Sequence, residues 1–95
     1  KQVFDINTFK FISDPGHGWL EVPRQMLAYL KISDAISGCS YAKDGMVYLE
    51  EDSDMSKFMQ AVITLYGIDA ATFNASTWGI HQDPTPIRNY KQYTA

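Results

Sequence analysis

Ninety-five residues, 45% of them apolar and 20% charged, supply one hydrophobic core and too little material for two. Eight Lys and Arg against eleven Asp and Glu leave a net charge of −3, totals that do not supply the basic patch a general affinity for phosphate backbones needs and fall equally short of the carboxylate density of a DNA mimic. The lone cysteine, Cys39, leaves no internal disulfide, the usage of a reducing compartment.

Residues 8 to 22, TFKFISDPGHGWLEV, alternate apolar and polar on either side of Asp14-Pro15-Gly16-His17-Gly18. Pro presets φ for a turn and Gly relaxes it, so the segment reads as a β-hairpin. A loop of two or of four residues leaves Phe9, Phe11, Leu20 and Val22 on one face, with Lys10, Ile12, Trp19 and Glu21 on the other. The Phe face is the expected core, and Trp19 is left opposite it. Pro23 suits the first turn of a helix, and Met26, Leu27 and Leu30 follow at helical spacing, predicting a short helix over 23–31. A turn around Ser33-Asp34 leads into a second hairpin. Asp44-Gly45 is the preferred dipeptide of a two-residue type I′ turn, which pairs Lys43 with Met46, Ala42 with Val47 and Tyr41 with Tyr48.

Met55, Phe58, Met59, Val62, Ile63 and Tyr66 then form a complete amphipathic stripe, predicting a helix over 53–66. Asp52 or Ser53 can cap it, Glu51 and Asp54 complement its dipole, and Gly67-Ile68 fits a left-handed stop. From Asp69 the periodicity is lost; a third short hairpin edge through Thr77 to His81 fits the composition, though nothing in the spacing requires it. The expected class is therefore α+β. Two β-hairpins, each followed by a helix (ββαββα), occupy residues 1–68 of a single domain, and an irregular, extended segment 69–95 packs on the core or trails from it. No apolar run approaches the ~20 residues of a membrane span, and the opening KQVFDINTFKF lacks the basic-then-apolar order of a secretory signal.

No strong catalytic motif is present: there is no Gly-rich phosphate loop, no CxxC pair and no HExxH. Ser13, Asp14 and His17 crowd one turn, yet triad partners normally come from separate elements. Asp14 reads as the turn's own cap and His17 as a tip residue free to touch a ligand. Glu50-Glu51-Asp52-Ser53-Asp54 offers four carboxylates in five residues but lacks the calcium-loop spacing, so neither a metal nor a cofactor is expected, and these acids read as structural. Strand alternation sends Glu50 and Glu51 to opposite faces, which leaves one of them partly buried and in need of a partner. Cys39 reads as a small half-buried core residue. Arg88, Tyr90, Lys91 and Tyr93 form a basic-aromatic tail too small to argue for nucleic acid.

The segments SDPGHGWLEVP and CSYAKDGMVYLEEDSDMSKF resemble a family of small uncharacterised bacteriophage and prophage proteins. These share a DPGHGW-x-x-VP turn, a CSY or YSY strand and a YLEED-x-D helix entry. Asp14 to Trp19 with Val22 and Pro23 stand at the first motif, and Tyr48 to Asp52 with Asp54 at the second. Ser53 departs from the Cys common there, and the chain after Gly67 has no counterpart. The family offers no activity to carry over. The resemblance implies a viral origin, the host cytoplasm as the location, and a protein that binds a host or defence-system protein, CRISPR effectors included. Together these readings give a non-catalytic protein-binding module whose surface is Asp14, His17, Trp19, Tyr41 and Tyr48, with no membrane association. For Trp19 the alternative is cover by the C-terminal segment or by a second copy of the chain in a homodimer. The rival function is a small hydrolase or nucleotide-processing enzyme that sets His17 and Asp14 against Glu50 or Glu51.

Overall fold

The computed structural model describes residues 9–67, 69, 71, 78–82 and 85–94. Strands β1 (Lys10–Ser13) and β2 (Gly18–Pro23) form the first hairpin around a four-residue loop. The Asp14 amide donates to the His17 carbonyl at 2.9 Å, and Asp14 Oδ1 accepts from the amides of Gly16 and His17 at 2.9 and 2.8 Å. Asp14 thus caps its own turn, as a short acidic side chain there does. Lys10 stands opposite Glu21 and Phe11 opposite Leu20, the parity expected from the alternation.

Helix α1 (Arg24–Tyr29) starts directly after Pro23. A 3-10 turn (Ser33–Ala35) leads to β3 (Tyr41–Lys43) and β4 (Met46–Glu50). Asp44 and Gly45 between them have φ of 53° and 84°, the left-handed pair that a type I′ turn requires. Tyr41 faces Tyr48, Ala42 faces Val47 and Lys43 faces Met46, as expected. Helix α2 (Asp54–Tyr66) ends at Gly67 with φ 67°, whose amide donates to the Ile63 carbonyl at 2.9 Å; Ile68 lies outside the described residues.

The fold is α+β, with a mixed six-stranded sheet and two helices. The expected plan of two hairpin-and-helix units needs two corrections. First, the hairpins are fused into one sheet, because β2 pairs antiparallel with β4. Secondly, the C-terminal segment is not merely irregular. It supplies β5 (Trp78–His81), parallel to β1, a 3-10 turn (Pro86–Asn89), and β6 (Lys91–Gln92), antiparallel to β3. The strand order is β5-β1-β2-β4-β3-β6, so these late strands extend both edges of the sheet. Residues 72–77, including Asn74 to Ser76 and Thr77, lie outside the described set. No helix among the described residues is long and apolar enough to cross a membrane.

Each sheet face carries its own core. On one, Phe9, Leu20, Val22, Val47 and Leu49 meet Met26 and Leu27 of α1 and Phe58 and Val62 of α2. This is the Phe face of the first hairpin packed on the α2 stripe, with the rings of Phe9 and Phe58 edge to face at 5.3 Å. On the other, Ile12, Trp19 and Tyr48 lie under Ile87, with Tyr41, Met46 and Tyr90 against them. Trp19 is 2% exposed and Tyr48 8%, so neither side chain stands open to solvent on this face. The C-terminal turn is the reason: Ile87 packs on Ile12, Trp19 and Tyr48, at a turn capped by Thr85 Oγ1, which accepts from the Ile87 amide at 3.3 Å. The two tyrosines of the expected basic-aromatic tail are likewise absorbed, Tyr93 buried with its hydroxyl donating to the Ser33 carbonyl at 2.7 Å and Tyr90 packed on Tyr48, while Lys91 is exposed.

Candidate functional site

The pairing of β2 with β4 sets Trp19 opposite Glu50. One residue further, the Glu51 amide donates to the Gly18 carbonyl at 3.0 Å, which carries the antiparallel register to the strand ends. Alternation then puts His17 and Trp19 from one chain end, and Glu50 and Asp52 from the other, on the same face. They gather in an open cleft of about 590 Å³, closed on its far side by Tyr41 and by the Gly38-Cys39 loop. The indole of Trp19 sits between the imidazole of His17, 5.9 Å away, and the ring of Tyr41, 6.4 Å away. Among the described residues no Lys or Arg lines this cleft, so its field is set by the two carboxylates.

Glu50 is the acid that alternation left in need of a partner. Its side chain is 11% exposed, against 45% for His17. Glu50 Oε1 accepts from the Asp52 amide at 2.6 Å, and Oε2 lies 3.4 Å from His17 Nδ1. His17, Glu50 and Asp52 each bring one ligand-type atom within 4.8 Å of the others. Ser53, also on the cleft wall, occupies the N-cap position of α2 without making a capping bond. Its hydroxyl oxygen is buried and has no hydrogen-bond partner among the described residues.

Of the five residues expected to form a binding surface, the structure brings three together here: His17, Trp19 and Tyr41. Trp19 contributes as the buried floor, His17 and Tyr41 as exposed and half-buried walls. Asp14 stands apart, committed to its turn through Oδ1. Tyr48 also stands apart: its hydroxyl donates to Glu21 Oε2 at 2.9 Å, and burial, reinforced by that carboxylate, pushes its phenol far above the usual range. Glu51 is exposed on the opposite face. Cys39 is exposed at the rim of the cleft, not the half-buried core residue expected, because its loop runs over the sheet end.

The remaining acid, Asp54, is structural. It is fully buried and accepts from the Ser37 amide and hydroxyl, from the Ser40 hydroxyl and from Lys57 Nζ. Burial alone would raise its carboxyl, but the donations from Ser40, Ser37 and Lys57 together outweigh it and hold the group below the ordinary carboxylate range. A second cleft, about 720 Å³, opens at the other end of β3 between Arg24, Lys43, Lys91 and Tyr90. Lys43 Nζ lies 4.8 Å from the Tyr90 ring centroid, so that cation is already engaged within the fold. No protein-family model, curated protein or solved structure matches the chain.

Proposed function

We propose that the protein is a non-catalytic binding module encoded by a phage, acting in the host cytoplasm by occupying a surface of a host or defence-system protein. The observation that carries this reading is the position of His17 and Tyr41 on facing walls of an open cleft with a fixed aromatic floor. A rigid aromatic floor with two accessible ring-bearing walls is the kind of concave, preorganised surface that anchors a partner side chain. The cleft's acidic character and the overall charge of −3 favour a protein partner over a nucleic acid. The motif resemblance supplies the phage origin and the class of target.

The test is affinity purification of the tagged protein from host cells, followed by stoichiometry. The reading requires one host protein at near 1:1 ratio that is lost on Tyr41→Ala or His17→Ala while the melting temperature is kept. Elution of the chain alone, or a partner indifferent to both substitutions, overturns it.

The contact between His17 and Glu50 favours the enzyme reading as the second. A carboxylate at Nδ1 orients an imidazole and leaves Nε2 to move a proton. In that reading Glu50 is the orienting acid, and Asp14 and Glu51 have no part. Hydrolysis of ester or nucleotide substrates that disappears with His17→Ala would favour it over the binding module.

A further inference from the structure

We infer that His17, Glu50 and Asp52 form a binding site for a divalent first-row transition ion of the zinc type. The ligand set comes first. One imidazole with two carboxylates suits Zn²⁺ and its neighbours, whereas Mg²⁺ and Ca²⁺ call for six or more oxygens. The spacing comes second. Charge-assisted hydrogen bonds run about 2.7–2.9 Å, and the 3.4 Å between His17 Nδ1 and Glu50 Oε2 is long for one. Two ligands each about 2.0–2.1 Å from a tetrahedral ion lie about 3.3–3.4 Å apart, which is the separation these two atoms have.

Preorganisation follows from the fold. Asp14 fixes the backbone of His17 on both sides of the peptide, and the Asp52 amide fixes Glu50 through its other oxygen. Asp52 is exposed, so its carboxylate can shift the short distance that separates it from ligand spacing, all three ligand atoms already lying within 4.8 Å of one another. The site lies at a concave surface with room for further ligands, and no Lys or Arg among its described lining residues competes for the carboxylates.

The Ser53 hydroxyl oxygen is buried under the same cleft wall with no partner among the described residues and lies out of reach of the cleft, so it takes no part in the site. The inference uses residues of the cleft but does not rest on the binding-module reading: a chain that binds metal and captures no host protein would sink that reading and leave the site standing.

The experiment is calorimetric titration of the full chain with Zn²⁺, with Co²⁺ absorption as the spectroscopic check of a tetrahedral environment and Mg²⁺ as the control ion. The expected result is one Zn²⁺ per chain, a raised melting temperature, and no response to millimolar Mg²⁺. His17→Ala and Glu50→Gln should each weaken binding about tenfold or more, while Cys39→Ser and His81→Ala leave it unchanged. If Glu50→Gln does not fold, Asp52→Asn, at an exposed position, takes its place. Any other pattern overturns the assignment, including no heat of binding in the native chain, binding that survives His17→Ala, or binding lost on Cys39→Ser, which would place the ion at the thiol.

Discussion

The Ser40 hydroxyl donates to Asp54 Oδ2 at 2.6 Å, and both residues are fully buried. The same serine oxygen accepts from the Glu50 amide at 3.0 Å, so one side chain ties the first turn of α2 to the end of β4. Asp54→Asn replaces an all-acceptor carboxylate with an amide that must turn a donor toward Ser37 or Ser40. A loss of about 3 kcal/mol or more is expected in urea denaturation. The acid arm follows from the same bonds. The folded state holds the Asp54 carboxyl below its ordinary value, so the stabilisation is complete above that value and is lost as pH falls through the lower folded one. Melts below pH ~4 should therefore fall more steeply for the native chain than for Asp54→Asn.

Phe58 is the centre of the α-helical layer, fully buried with its ring against Phe9. Truncation to Ala leaves a cavity between α2 and the sheet, because neither partner is free to collapse into it. A cost of about 3–5 kcal/mol is expected, a large share of the stability of so small a domain. A thermal melt unchanged by Phe58→Ala would remove this core.

What was legible in the sequence is what short-range chemistry decides. The parity of the first hairpin, the Asp44-Gly45 turn with its Tyr41 and Tyr48 pair, and the α2 stripe are set by neighbours within a few residues; the structure keeps the first two, and of the stripe it buries Phe58 and Val62 with Met55 and Met59 against them, while Tyr66 is exposed. The pairing of β2 with β4 joins segments about thirty residues apart, and β5 joins β1 from a stretch without periodicity. No local pattern encodes either. The candidate site was hidden for the same reason. His17 read correctly as a turn residue and Asp52 as a helix-entry acid, and only the register that sets Trp19 against Glu50 makes them neighbours. The signal was nonetheless present in part: alternation required one of Glu50 and Glu51 to be buried, and that acid is the one beside His17.

Trp19 now belongs to the second core, under Ile87 and beside Ile12 and Tyr48. Trp19→Ala should unfold or strongly destabilise the chain, by about 3–5 kcal/mol, instead of merely weakening an interface. Ile87→Ala should cost about 2–5 kcal/mol by opening the same layer from the other side. Urea denaturation of the two single variants and the double variant checks this, with a coupling of about 0.5–3 kcal/mol expected for residues in one cluster. Strictly additive losses would show that the C-terminal turn does not cover Trp19.

Gly18 stands where the turn enters β2, and its backbone is closed over by the ring of Phe11. A Cβ built there would fall within the edge of that ring, 2.9 Å from Cε2 and in steric conflict with Cζ, with Glu51 Cδ at 3.2 Å on the other side. The φ of Gly18 is not in the left-handed region. The requirement for glycine is therefore one of space and not of backbone freedom, a distinction that a double-mutant cycle can read. Gly18→Ala alone should cost about 1–3 kcal/mol, because Phe11 must swing off its place against the core. In a Phe11→Leu background the shorter side chain leaves the added methyl room, and the same substitution should cost less by at least about 0.5 kcal/mol. Equal costs in the two backgrounds would mean that the turn itself, and not the ring, demands glycine at this position.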